Sequence, residues 1–253
     1  MDLEAVGAIV TGGASGLGGA TAEMLARGGA KVALFDMNAE AGAEMAGRIG
    51  GSFHQVDVAD EASVAAAIAA AEQAHGVARV LVNCAGIAPV GRVVAKDGTA
   101  HPLSTFRKTI EVNLIGSFNL IAQFAARLIA AEVPGEEAGV IVNTASVAAY
   151  DGQIGQAAYA ASKAGVAGMT LPIARDLAQP RIRVMTIAPG IFLTPMLMGL
   201  PQAAQDSLGT QVPHPARLGR PAEYARLVES IVANPMLNGE VIRLDGAIRM
   251  APR

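Results

Sequence analysis

Val140-Ile141-Val142-Asn143-Thr144-Ala145-Ser146 and, a short way on, Tyr159-Ala160-Ala161-Ser162-Lys163 are the two runs on which the reading of this chain turns. The first is an apolar, β-branched run of strand length that ends in a serine. The second puts a tyrosine and a lysine four residues apart, which on a helix is one face. A free phenol titrates near ~10, and a cation beside it favours the phenolate, so Lys163 is expected to depress the pKa of Tyr159. Ser146 falls where a parallel strand gives way to its crossover, the edge at which α/β sheets bind ligands. Its hydroxyl is placed to hold a substrate oxygen.

Working outward, a turn Thr11-Gly12-Gly13-Ala14-Ser15-Gly16-Leu17-Gly18 follows the first apolar run and opens a helix. Glycines there let the backbone approach a pyrophosphate, which the helix N-terminus favours. Asp36 closes the second run, 18 residues after Gly18. Its carboxylate suits a ribose diol and would repel a 2′-phosphate, and Met37 and Asn38 offer no cation to offset that, so NAD is expected over NADP. A plain helix cap is the other reading of Asp36.

Apolar runs alternate with alanine-rich helical segments along the whole chain, the pattern of a single doubly wound α/β domain over residues 1–253, with a seven-stranded parallel sheet and helices on both faces. Strands are expected at 5–11, 31–36, 52–56, 79–83, 140–144, 183–187 and 240–244. Helices are expected at 16–27, 38–48, 60–75, 104–131, 155–178 and from Pro221. Pro172 should kink the helix that carries Tyr159. Residues 88–104 read as loop, and 184–205, apolar but broken by prolines and glycines, as a strand followed by loop.

The chain has 253 residues, 52% of them hydrophobic and 16% charged, which suits a large core and argues against disorder. A net charge of −3 gives no basic field for nucleic acid, and no segment reads as membrane-spanning. No leader precedes the first strand, and Cys84 stands alone, so no disulfide framework is expected and the setting reads as reducing, hence cytoplasmic. Cys84 itself reads as a small buried filler rather than a reactive thiol. The histidines show no metal-ligand spacing, and no metal is expected.

The glycine turn, Asn83-Cys84-Ala85-Gly86, and the Ser146, Tyr159, Lys163 set together resemble the short-chain dehydrogenase/reductase family, over nearly the whole chain. The resemblance implies an oxidoreductase in which Tyr159 is the acid/base, Ser146 holds the oxygen, Lys163 also binds the nicotinamide ribose, and Asn113 holds a water near the lysine. It implies that Gly12, Ser15, Gly16, Leu17, Gly18, Asp36, Asp57, Val58, Asn83, Cys84, Ala85, Gly86, Tyr159, Lys163, Pro189, Phe192 and Thr194 line the dinucleotide site. Ser146, Gln153, Tyr159 and Leu193 are implied to meet substrate, within an apolar wall over residues 191–200.

Runs such as Leu171-Pro172-Ile173-Ala174-Arg175-Asp176-Leu177 and the tail Asn238-Gly239-Glu240-Val241-Ile242-Arg243-Leu244-Asp245-Gly246 are similar to the branch of the family that oxidises 3-hydroxyacyl-CoA esters in fatty acid metabolism. That branch implies a homotetramer and a short-chain, 2-methyl-tolerant acyl-CoA as small-molecule substrate. Its alternatives are reduction of a 3-oxoacyl carrier-protein thioester, oxidation of a hydroxysteroid, or a non-enzymatic place as a structural subunit of a larger complex.

Overall fold

The computed structural model describes residues 1–199 and 201–252. Seven strands, β1 (Gly7–Thr11), β2 (Lys31–Asp36), β3 (Ser52–Gln55), β4 (Ala78–Asn83), β5 (Gly139–Thr144), β6 (Ile182–Pro189) and β7 (Val241–Leu244), form one sheet in the order β3-β2-β1-β4-β5-β6-β7. Every pairing is parallel. The order reverses between β1 and β4, so the loops leaving those two strands part from one crevice, the place where such sheets take ligands.

Because side chains alternate across a strand, each strand feeds two cores. Val10, Leu34, Val82, Val142 and Ile187 face one side, against α1 (Gly16–Arg27), α2 (Ala39–Ile49) and α9 (Pro221–Ala233). Ile9, Phe35, Leu81, Ile141 and Val184 face the other, against α3 (Glu61–His75), α5 (Gly116–Ala130) and α6 (Ala157–Asp176). Burial on both faces explains why the central strands read as continuous apolar runs.

Three local features depart from the sequence expectation. The expected helix 104–131 is α4 (Leu103–Ile110), one π-helical turn (Glu111–Ile115), then α5, with Asn113 at the centre of the wide turn. That stretch, Leu103–Ala130, is also the one helix among the described residues long and apolar enough to cross a membrane, with only part of it buried. Residues 88–104 contain a small hairpin closed by a bridge between Val94 and Ala100. The presumed loop after β6 holds two short helices, α7 (Pro195–Met198) and α8 (Gln202–Thr210). Pro195 opens α7 and Pro201 caps α8, positions that need no backbone donor, so the prolines start helices rather than stop them. α6 runs on through Pro172 to Asp176.

Candidate active site

The glycine turn after β1 is built so tightly that side chains cannot enter it. At Gly12, φ is +62° and a Cβ would lie 2.8 Å from the Ala85 backbone nitrogen; at Gly18 it would strike the Gly12 carbonyl oxygen. Thr11 joins this turn to the β4 loop, its Oγ1 accepting from the backbone N–H of Cys84 and of Ala85, both at 3.1 Å. Ser15 begins α1 without using its hydroxyl as a cap, so turn and helix end stay free to meet a phosphate.

Asp36 sits beside the same turn: one carboxylate oxygen accepts from Ala14 N–H at 3.1 Å and the other from Asn38 N–H at 3.0 Å. The cap of α2 is Asn38, whose side chain accepts from Ala41 N–H, so Asp36 is not the helix cap. Asp57 accepts from Ala59 N–H at 3.0 Å and lies 3.8 Å from Lys108 Nζ, while Val58 is buried against Gly116. The side chain of Asn83, a residue expected at the cofactor, is bonded within the sheet. Its Nδ2 donates to Asn143 Oδ1 at 2.9 Å, because the two are register partners on neighbouring strands and so share one face of the sheet.

A cleft of about 370 Å³ opens at the C-terminal ends of β4, β5 and β6. Leu17, Cys84, Gly86, Ser146, Gln153, Tyr159, Lys163, Pro189, Phe192 and Thr194, all named from the sequence, line it, as do Leu208 and Met250, which were not. Leu193 does not line it. Its N–H bonds Gly219 O at 2.8 Å across a bridge between Phe192 and Gly219, and in an extended segment the residue between two inward-facing side chains points away. Leu200 lies outside the described residues, as does the Met196 side chain.

Lys163 is 5% exposed and donates to the Thr144 carbonyl at 2.7 Å, with its ammonium 5.9 Å from the Tyr159 ring centre. Burial pushes its pKa down to about 8. Burial also pushes the Tyr159 phenol above its ordinary value, and a hydrogen bond with Ser146 only partly offsets that. The net shift is thus upward, opposite to the depression expected from Lys163, because removing the phenolate from water outweighs the Ser146 hydrogen bond. Burial raises the Cys84 thiol as well, the direction that suits a filler rather than a reactive thiol.

Asn113 is fully buried and its amide is committed to protein: Oδ1 accepts from Ile87 N–H at 2.8 Å, and Nδ2 donates to Ile87 O at 2.9 Å and Ser162 Oγ at 3.0 Å. It thus pins the β4 loop to α6, beside Gly86, where a Cβ would stand 3.1 Å from Asn113 Oδ1 and 3.6 Å from Lys163 Nζ. The wide π turn supplies the geometry, as such turns do at functional sites. Behind the lysine, Tyr224 Oη lies 2.7 Å from Thr144 Oγ1, which donates to Asn83 O at 2.6 Å. No local sequence signal marked Tyr224, since nothing in α9 announces a partner 80 residues earlier.

Cradle, carboxylate and cleft fit a nicotinamide dinucleotide: a backbone bare of Cβ atoms where a pyrophosphate would lie, an acid at the ribose position, and an apolar pocket at the Tyr159 end. Among the described residues no three histidine, cysteine or acidic side chains cluster as a metal site.

Comparison with known proteins agrees. The profile of the family described as short chain dehydrogenase matches residues 7–205. The chain is 53% identical to the human 3-hydroxyacyl-CoA dehydrogenase type-2 over 254 residues, covering 97% of this chain and 95% of that protein. It is also 53% identical to the Drosophila melanogaster protein of that name, covering 96% and 97%. A crystal structure of 3-hydroxyacyl-CoA dehydrogenase type-2 from Mycobacterium avium superposes with a TM-score of 0.94 at 43% identity, covering 98% of each chain. With this fold, this cradle and these relatives, the chain belongs to the short chain dehydrogenase family and is an oxidoreductase.

Proposed function

We propose that the protein oxidises the 3-hydroxyl of short-chain, including 2-methyl-branched, 3-hydroxyacyl-CoA esters with NAD, and works as a homotetramer. The observation that carries the chemistry is the meeting of Ser146, Tyr159 and Lys163 in one cleft whose other walls are mostly apolar. The bound cofactor supplies the hydride acceptor. Ser146 holds the carbinol oxygen, and Tyr159 takes its proton in oxidation and returns it in reduction. Burial raises the phenol further, so the reductive direction finds it protonated, and in oxidation the Ser146 hydrogen bond favours the phenolate. Asn113 is a positioning residue that holds the Ile87 loop against α6.

Asp36 supports NAD, since its carboxylate faces the glycine turn and among the described residues no arginine or lysine pairs with it. The acyl-CoA reading rests on the printed names of relatives over half identical and on the shape of the cleft, where Ile191, Phe192, Leu197, Leu208 and Met250 make an apolar wall. The hairpin that carries exposed Arg92 and Lys96 is tied to the loop before α6 by Gly91 N–H to Gly155 O at 2.9 Å, and these cations are the groups offered to CoA phosphates. The tetramer is supported by exposed Ala157, Ala161 and Ala164 on α6 and by Ile115 and Phe118, 50% and 54% exposed, where the π turn passes into α5.

The test is one assay series with NAD: kcat/KM for 3-hydroxybutyryl-CoA, 2-methyl-3-hydroxybutyryl-CoA, a 3-hydroxyacyl carrier-protein thioester and estradiol. A CoA ester should lead. A tenfold lead for either non-CoA compound, about 1.4 kcal/mol, would overturn the substrate assignment.

A further inference from the structure

One wall of the cleft comes from a segment that the hydride chemistry does not use. Directly after β7 the chain turns at Asp245-Gly246-Ala247, with Ala247 at φ 68°, and runs back so that Met250 shares the cleft with Ser146, Gln153 and Tyr159. The segment is anchored along its length. Ile248 is 1% exposed, Gln153 Nε2 donates to Ala251 O at 3.0 Å, and Ile154 N–H donates to Pro252 O at 3.1 Å.

Arg243 is the latch. Its Nη2 donates to Asp151 Oδ2 at 2.6 Å and to Ile248 O at 3.0 Å, and its Nε donates to Asp245 Oδ2 at 2.7 Å. The guanidinium lies 5.4 Å from the Tyr150 ring centre. One planar cation therefore joins the end of β7, the loop that leads into α6, and the backbone of the returning segment. Both carboxylates are mostly shielded, 18% and 8% exposed, so this is not a solvated surface pair.

We propose that this segment is the specificity-determining wall of the acyl pocket, with Met250 limiting acyl length and Arg243 positioning Met250. The inference rests on the acyl-CoA reading above and names which residue of that pocket meets the chain beyond the reacting carbon. A thioether suits the place, since an unbranched side chain can yield to a methyl branch while still stopping a longer chain.

The experiment compares kcat/KM for acetoacetyl-CoA and 3-oxooctanoyl-CoA in wild type, Met250→Ala and Met250→Phe. The octanoyl-to-acetoacetyl ratio should rise at least about tenfold in Met250→Ala and fall in Met250→Phe, the scale expected when an apolar pocket gains or loses methylene space. A ratio within twofold of wild type in both variants overturns the wall. A wild type inactive on both esters overturns the acyl-CoA reading and the wall with it, an outcome distinct from active enzymes sharing one ratio.

For Arg243, hydrogen exchange across residues 246–252 should quicken in Arg243→Gln. KM for acetoacetyl-CoA should rise several-fold while kcat stays within about threefold of wild type. Asp151→Asn probes the same latch from the partner side should Arg243→Gln not fold. Unchanged exchange and KM in the folded variant overturn the positioning role.

Discussion

Lys163 is held charged at a cost to the fold, and replacing it with methionine should stabilise the protein while disabling it. Its pKa falls from 10.5 to about 8, so at neutral pH the folded state holds the proton less readily than the unfolded chain does. At 1.36 kcal/mol per pK unit that difference costs about 3 kcal/mol at pH 7. Methionine of similar length removes the cost but leaves the Thr144 carbonyl without its ammonium donor, a loss of roughly 1 kcal/mol. The net gain is about 2 kcal/mol, or roughly 4–8 °C in Tm for a chain of this size.

The sign makes the test sharp. The unfolded state binds more protons between pH 8 and 10.5, so wild-type stability rises across that window relative to the variant. The assay is a thermal melt of both proteins without cofactor at pH 7, 8, 9 and 10. The Lys163→Met advantage should be largest at pH 7 and nearly gone by pH 10. A variant less stable than wild type at pH 7, or a gap that does not change with pH, would refute the reasoning.

Two further outcomes follow from the geometry. Wild type should prefer NAD, and Asp36→Ala should narrow the preference by freeing the space for a 2′-phosphate; equal NAD-to-NADP ratios of kcat/KM in the two proteins would count against the carboxylate's role. At the far edge of the sheet, Ser52 Oγ lies 3.0 Å from His54 Nε2 and 2.9 Å from His75 Nε2, and burial lowers both imidazoles below 6.5, helped by the charge of His75 on His54 and of Lys31 on His75. The stability these two contribute is present above pH 6.5 and lost as pH falls through it, so Tm should fall more between pH 7.5 and 5.5 in wild type than in His54→Gln/His75→Gln, and parallel profiles would contradict this.

Much of this was legible in the sequence because it is local. Runs such as Val140-Ile141-Val142 announce buried parallel strands, and all seven strands fall within two residues of expectation. The glycine turn, Asp36 and the Tyr159–Lys163 spacing are each set by one turn of backbone. What could not be read depends on where distant segments meet. Asn83 and Asn143 pair only because β4 and β5 are neighbours, and Tyr224 reaches Thr144 only because α9 packs over β5.

The same limit explains Met250, a tail residue by sequence and a cleft residue by topology. The direction of the Tyr159 shift was misread for a different reason: spacing reveals the lysine beside the phenol but not how completely the fold withdraws both from water. The prolines of α7 and α8 carried the opposite lesson, since a proline at a first turn starts a helix and only context tells it from a break.

The central claim is that Tyr159 carries the proton while the cofactor carries the hydride, and the substitution that removes only the hydroxyl tests it most directly. Tyr159→Phe and wild type are compared for NADH formation from 3-hydroxybutyryl-CoA at saturating substrate, with NAD affinity measured by calorimetry on the same samples. The expected kcat is lower by at least ~10², the lower end for general acid–base catalysis, with the NAD Kd within about twofold of wild type. Turnover near the wild-type rate in a variant that binds NAD normally would contradict it.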